Sequence, residues 1–527
     1  VKRTMTSPWE EGDPSSKICI LGEAPARQEM REGRPLVGPS GHLLEQCMHS
    51  AGMIRKECYI LNLFPFQVVK RVQDGLTEDG ELLWTKKGLT ELGEGYCQSS
   101  KELLQKCKAN VVVPLGNVPL EFCVGHQSIT KWRGSILMST FGKKVVPTIH
   151  PAASLRGQYL WRYLIISDLK RAKEESEVPE MNLPQRELLI DPTFNEVLDF
   201  LRGVSEKKRF ATDIECLNHQ ISCMSFAPLW DLCMSVPFLN SKGGHRWTLW
   251  EEAEIWTLIA ELMGNKDIMK INQNIIFDIG FLLRQNNIIT RGELGDPGIA
   301  HHIIFPDFRW GLDLLCSLWT REPYYKDDGK LWSKPWLDMD TFWRYNAKDS
   351  CVALEVWDAL QDELDNGYRE TFNRTVNTFD SLLYMMTGGM KIDRDHLEET
   401  KIKVKSQLAE KEKKLLECAE RDFNPGSSKQ CIEYFYVTKG IKPYISTKTG
   451  QPTTDDKAMA RIVRRFNLPE ARLVQDIRGL RKLISTYLEV KSDEDGRIRS
   501  SYNPRGTWTG RLSSSQTIFG TGMNMQN

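Results

Sequence analysis

The chain has 527 residues, 40% of them hydrophobic, and its 70 Lys and Arg balance 70 Asp and Glu, so the formal net charge is zero. That length suggests about three domains with more than one buried core, and zero net charge leaves any nucleic-acid contact to local patches. The thirteen cysteines are scattered without a Cys-x-x-Cys pair, which argues against a disulfide framework or a zinc site and fits reduced thiols in a cytoplasmic protein. No run of about 18 apolar residues and no charged-then-apolar start occurs, so no membrane partner is expected.

From the amino terminus, apolar runs at 18–21, 58–62, 111–115 and 145–150 alternate with helical segments and read as strands of an α/β fold. In such sheets the loops at the carboxyl ends of the strands build the ligand site. The first strand runs into Gly22-Glu23-Ala24-Pro25-Ala26, followed by Gly33-Arg34-Pro35-Leu36-Val37-Gly38-Pro39-Ser40-Gly41. The last runs into His150-Pro151-Ala152-Ala153-Ser154-Leu155-Arg156, and Leu115-Gly116-Asn117 and Ile129-Thr130-Lys131-Trp132-Arg133-Gly134 lie between.

Over residues 16–170 these segments resemble the uracil-DNA glycosylase superfamily, nearest its family 4, which implies a three-layer α/β domain over 1–175. Such enzymes flip a base out of the stack and read its Watson–Crick edge. The resemblance implies that Asn62 reads the uracil edge, that His150 donates to the base, and that the loop from Glu23 cradles the sugar and a water. Two positions depart from the family pattern. Ala26 replaces a glycine, and its side chain crowds the loop's approach to nucleic acid. Leu36 replaces a base-stacking aromatic, an interaction worth about 1–3 kcal/mol per base. Family 4 also holds an iron–sulfur cluster on four cysteines; Cys97 and Cys107 match the later pair, but no cysteine precedes Cys19, so no cluster is expected. Both uracil excision and a retained fold that grips DNA or braces its neighbour stay open.

A Glu- and Pro-rich stretch at 174–185 reads as a linker, with its bounds taken as 176–192. Beyond it, three acidic clusters follow in order: Asp213-Ile214-Glu215, Asn274-Ile275-Ile276-Phe277-Asp278 and Tyr345-Asn346-Ala347-Lys348-Asp349. The first ends an apolar run that reads as a strand, so Asp213 and Glu215 share a face. Asn274 and Asp278, like Tyr345 and Asp349, are four apart in helical patterns and share a helix face. Four carboxylates converging in this way suit two Mg²⁺ or Mn²⁺ ions and phosphodiester hydrolysis.

The ordered set resembles the three motifs of the DEDDy 3′–5′ proofreading exonucleases, the ribonuclease H-like branch found in family A DNA polymerases. Asp296-Pro297-Gly298-Ile299-Ala300-His301-His302, Gly311-Leu312-Asp313 and Glu322-Pro323-Tyr324-Tyr325-Lys326-Asp327 add to the match. The resemblance implies an exonuclease domain over 193–365. Asp213, Glu215, Asp278 and Asp349 would be metal ligands, Tyr345 would orient the attacking water, and Asn274 would contact DNA.

Past Asp349 the pattern turns helical, with 393–421 carrying apolar residues at three- and four-residue intervals among Lys and Glu. Asn424-Pro425-Gly426-Ser427-Ser428-Lys429-Gln430, Thr447-Lys448-Thr449-Gly450, Arg478-Gly479-Leu480-Arg481-Lys482 and Gly506-Thr507-Trp508-Thr509-Gly510-Arg511-Leu512-Ser513-Ser514 follow. These resemble the thumb and the start of the palm of family A DNA polymerases, taken as 366–527. Residues 461–511 hold 12 Lys or Arg against 6 Asp or Glu, and the resemblance points to Lys482, Arg505 and Arg511 as phosphate contacts to single-stranded and primer-template DNA.

The segment Met523-Asn524-Met525-Gln526-Asn527 resembles the stretch just before the palm carboxylates. On that reading the chain does not polymerise DNA alone and is either a truncated polymerase or half of a split enzyme whose second chain carries palm and fingers. The whole reads as a proofreading replication protein of viral type, acting in a host cytoplasm. A base-excision repair glycosylase and a non-enzymatic DNA-binding scaffold are the alternatives.

Overall fold

A computed structural model describes residues 5–525 except 8, 72–73, 218, 334–337 and 448–449. Lys448, Thr449, Gln526 and Asn527 of the quoted motifs therefore lie outside the described residues. The chain divides into two compact units, Val1–Asn377 and Thr378–Asn527.

The first unit holds two mixed sheets. One has the order Met5–Thr6, Glu10–Gly12, Cys58–Asn62, Ile18–Gly22, Val111–Pro114, Lys144–Val145, Leu137–Met138, and is parallel from Cys58–Asn62 to Lys144–Val145. Its central strands are buried along their whole length, which is why they read as unbroken apolar runs. Alternate residues feed two cores. Ile18, Ile20, Ile60, Val111 and Val113 pack against the helices Pro39–Ser50 and Trp161–Glu175, while Cys19, Leu21, Leu61 and Val112 pack against Glu91–Lys106. Helices on both faces make the expected three layers. The run 145–150 is not one strand, because Pro147 has no N–H to give. Val146 and Thr148 on either side still donate to Val112 and Pro114, at 3.0 Å each.

The second sheet runs Glu187–Leu189, Leu232–Pro237, Gln220–Leu229, Arg209–Leu217, Met269–Ile271, Leu294–Gly295. The helix Met339–Ala359, buried on most of its length, packs across Arg209–Leu217, Gln220–Leu229 and Leu232–Pro237. Glu187–Leu189 pairs in parallel with Leu232–Pro237, so part of the segment expected as linker is an edge strand. The helix Trp161–Glu175 also extends into the Glu- and Pro-rich stretch.

The two sheets share one compact unit. Leu314, from the helix Leu312–Trp319 of the second region, lies within the core of the first. Buried Arg133 donates to both carboxylate oxygens of buried Asp168 and to Ser317 Oγ at 2.7 Å, joining the two regions. A Cβ at Gly134 would come within 2.8 Å of Asp168 Oδ1 and 3.3 Å of the Ser317 carbonyl, so glycine permits this close approach.

The second unit is mainly helical. Its longest helix, Arg394–Ala419, is capped by Asp393, which accepts from the His396 N–H at 3.0 Å, and it packs against Pro469–Leu483. Phe423, Tyr434, Phe435, Met459, Ile462, Val474 and Ile477 belong to its core. A short hairpin, Ser500–Asn503 with Ser513–Gln516, carries the loop that contains Thr509-Gly510-Arg511.

Candidate metal centre and nucleic-acid sites

The strand Arg209–Leu217 and the helix Met339–Ala359 bring Asp213, Glu215 and Asp349 together, with one ligand oxygen from each within 4.8 Å of the others. Asp213 and Glu215 are half-buried and Asp349 is buried. Asp278, in the first turn of the helix Ile275–Asn286, is buried beside them and accepts from the Ile214 N–H at 3.1 Å. Asn274 departs from the helical reading. It stands just before that helix with φ of 71°, and its N–H donates to Asp296 Oδ2 at 3.0 Å. Buried Asp296 also accepts from the N–H groups of Ile275, Gly298 and Ile299, fixing the starts of two helices at once.

Two amides that composition did not single out set the orientation of Asp213. Asn272 Nδ2 donates to its Oδ1 at 3.1 Å, and Asn346 Nδ2 to its Oδ2 at 2.9 Å. Ser235 in turn holds Asn346 Oδ1 at 2.9 Å. Two further neighbours come from the segment 320–330. Tyr325 donates its hydroxyl to Asp349 Oδ1 at 2.6 Å, and Lys326 Nζ donates to Asp349 Oδ2. The same ammonium lies 4.5 Å from the centre of the Tyr345 ring. Asn346 sits inside the third acidic cluster, and Tyr325 and Lys326 inside a quoted motif, so the signal was present as proximity in sequence.

The electrostatics are those of crowded negative charge. Burial and the charge of Asp349 push the Asp213 carboxyl up to about 7. Burial and the charge of Asp213 raise Glu215 and Asp278 well above the usual carboxylate range. Burial lowers Lys326, but the charge and hydrogen bond of Asp349 together with the charges of Asp213 and Glu215 offset it and raise the ammonium above its usual value. Burial, with Asp349, Glu215 and Asp213, keeps the Tyr345 phenol protonated. A cluster of oxygen donors that repel one another and already draw in one ammonium fits divalent cations.

In the first sheet, Gly22 and Asn62 are register partners at the ends of adjacent parallel strands. A Cβ on Gly22 would fall 2.3 Å from Asn62 Oδ1, so glycine leaves room for the buried amide. Glu23 forms an ion pair with Lys70 at 2.7 Å. His150 Nδ1 accepts from the Ala152 N–H at 3.2 Å, and the ring is pushed down to about 4 by loss of surrounding water, with Lys70 and Arg156 adding to the effect. Leu36 is buried in the core with φ of 51°.

In the second unit Lys482 and Arg511 are exposed. Lys482 lies in the last turn of the helix Pro469–Leu483, and Thr507 closes the loop of Arg511 by accepting from the Arg511 N–H at 2.9 Å. Arg505 is 2% exposed, so its burial does not meet the expectation of a surface phosphate contact. Several of the basic side chains are also already engaged: Arg478 by the Pro425 and Thr454 carbonyls, Arg481 by Glu412 and Arg499 by Asp493 and Asp495.

Residues 9–170 match the model of the uracil DNA glycosylase superfamily, 193–365 that of the 3′–5′ exonuclease domain and 394–527 that of DNA polymerase family A. The chain thus belongs, through residues 9–170, to the uracil-DNA glycosylase superfamily and continues into a 3′–5′ exonuclease domain and part of a family A DNA polymerase domain. The type-4 uracil-DNA glycosylase of Thermotoga maritima is 32% identical over 31% of this chain and 79% of its own length. The DNA polymerase of Bacillus phage SP01 is 22% identical over 96% of this chain and 62% of its own length. The chain therefore spans under two thirds of that relative. Among solved structures, the POL domain of Pol1 from M. smegmatis, in complex with a DNA primer-template and dNTP, shares the fold at a TM-score of 0.50 and 20% identity. That likeness covers 65% of this chain and 56% of the other. Among the described residues, no helix is long and apolar enough to cross a membrane.

Proposed function

We propose that this chain is the proofreading part of a family A DNA polymerase, a metal-dependent 3′–5′ exonuclease that trims single-stranded primer ends. The observation that carries the reading is the approach of Asp213, Glu215 and Asp349 to within 4.8 Å, inside a segment that matches an exonuclease family. Asp213, Glu215, Asp278 and Asp349 would hold two Mg²⁺ or Mn²⁺ ions. Such ions, when bound, supply Lewis-acid charge that activates water and stabilises the leaving oxygen. The chain's own residues then do the rest. Asn272 and Asn346 keep the Asp213 carboxylate turned toward the site, and the protonated Tyr345 phenol orients the attacking water. Lys482 and Arg511 contact phosphates and Asn274 the strand end, while Arg505 is set aside for its burial.

On this reading the domains run 1–175, 193–365 and 366–527, with 176–192 between. The phage relative supports a viral replicase working in a host cytoplasm. The first domain acts as a DNA-binding and bracing module. Its place in the glycosylase superfamily favours one alternative, uracil excision at Asn62 and His150.

A 5′-labelled single strand with one internal uracil, incubated with Mg²⁺ or with EDTA and then treated with alkali, separates these readings. A Mg²⁺-dependent ladder that is lost in Asp213→Ala supports the exonuclease; digestion that survives this substitution sinks it. An alkali-sensitive break that persists in EDTA would instead make the first domain a working glycosylase.

A further inference from the structure

The segment 320–330 touches both regions of the first unit. Toward the glycosylase-like region, the Thr320 carbonyl accepts from Arg171 at 2.7 Å and the Tyr324 N–H donates to buried Ser135 Oγ at 3.1 Å. The Tyr324 ring meets Trp132 edge-on at 5.2 Å, and the Asp327 carboxylate takes two hydrogen bonds from Lys131 Nζ, at 2.8 and 3.0 Å. Toward the exonuclease region, Tyr325 and Lys326 both donate to Asp349. The residues that reach Asp349 are therefore flanked on both sides by anchors on the other region.

We propose that the glycosylase-like region is a positioning element of the exonuclease site, acting through the strap 320–330. Lys131, Ser135 and Arg171 hold the strap, and the strap holds Tyr325 and Lys326 on the Asp349 carboxylate. The inference rests on the exonuclease reading of that carboxylate cluster. Lys131, Ser135 and Arg171 are positioning residues, since none of them touches the acids.

The strap has two opposite effects on the site. Two donors fix the Asp349 carboxylate in one orientation, which favours the chemical step, because small misplacements of a reacting group are costly to rate. The Lys326 ammonium also sits on a ligand oxygen, where its charge opposes an incoming cation. Loosening the strap should therefore slow digestion and tighten cation binding together. General destabilisation of the site would weaken both.

The test uses the full chain with Lys131→Ala, Ser135→Ala and the two combined. Lys131→Arg is the conservative rescue, and Asp327→Ala removes the partner of the same ion pair. Single-turnover digestion of a 5′-labelled single strand at saturating Mg²⁺ gives the rate, and calorimetric titration with Mn²⁺ gives cation affinity without any reaction. The combined variant is expected to digest about three- to tenfold more slowly and to bind Mn²⁺ about threefold more tightly. Lys131→Arg should stay near wild type, and Lys131→Ala should cost less in an Asp327→Ala background than alone, Asp327→Ala by itself also removing the Lys330–Asp327 pair at 2.8 Å. Unchanged rate and Mn²⁺ affinity in the combined variant would overturn the proposal, as would weaker Mn²⁺ binding with a lowered melting temperature. If the unaltered chain digests no DNA with Mg²⁺, it is the exonuclease reading that has failed. The Mn²⁺ titration then decides alone whether the strap reaches the carboxylates.

Discussion

Two sites in the first unit carry clusters of ionisable groups, and they balance charge in opposite ways. Around Asp213 the carboxylates face one another, and the nearby ammonium of Lys326 leaves an excess of negative charge. At the ends of the first sheet Glu23 is paired with Lys70, and His150 is held neutral by loss of water around its ring. A cluster that penalises its own ionised form calls for a cation, whereas a pocket with paired charges is stable without one. The difference separates a candidate metal centre from a pocket whose charge balance calls for no cation.

The largest expected effect that can break this contrast is at Asp213. Removing a ligand that holds transition-state charge should lower digestion by on the order of 10²–10³-fold, while DNA affinity, measured by fluorescence anisotropy, stays near wild type. A smaller loss is expected from Asn346→Ala, because outer partners of metal ligands typically contribute about 10–100-fold to affinity or activity. Isothermal titration with Mn²⁺ checks it, and unchanged binding would mean that the amide does not orient Asp213. Next comes stability without divalent ions. The Asp213 carboxyl is raised above its unfolded value to about 7, so the folded chain keeps a proton that the unfolded chain releases. Its contribution is present at low pH and is lost as pH rises from about 4 to 7. The metal-free chain should lose a few degrees of melting temperature over that range relative to Asp213→Asn, and Mg²⁺ should abolish the difference.

Much of this was legible in the chain itself. The strand 58–62 and the helix capped by Asp393 are written in local apolar pattern and capping chemistry, which tertiary contacts do not override. The acids of the candidate metal centre were legible because each lies in a short motif at strand or helix spacing. Arg505 and the strap were not. A basic residue in a basic segment gives no sign that packing will bury it, and the contacts of Lys131 with Asp327 and of Ser135 with Tyr324 span more than 180 residues. Nothing local encodes such pairs. The same applies to 176–192, where composition suggests a free linker but pairing with Leu232–Pro237 makes part of it an edge strand.

The smallest effect tests the balanced side of the contrast. His150 has its imidazole lowered to about 4, below the usual 6.5, because protonation would place a charge on a ring with little water around it, near Lys70 and Arg156. With a depressed folded value, the unfolded chain takes up a proton first as pH falls. The stabilising contribution is then complete above about 6.5 and is lost as pH drops toward 4. A proton NMR titration of the imidazole signals, with the His150 signal assigned by its loss in His150→Asn, should show no titration of that ring between pH 5 and 8. Titration near 6.5 would place the ring in open solvent and remove the distinction between the two sites. With the ring neutral throughout that range, uracil release, if it occurs, should show no pH dependence from His150 there, because a neutral donor stabilises developing negative charge without first taking up a proton.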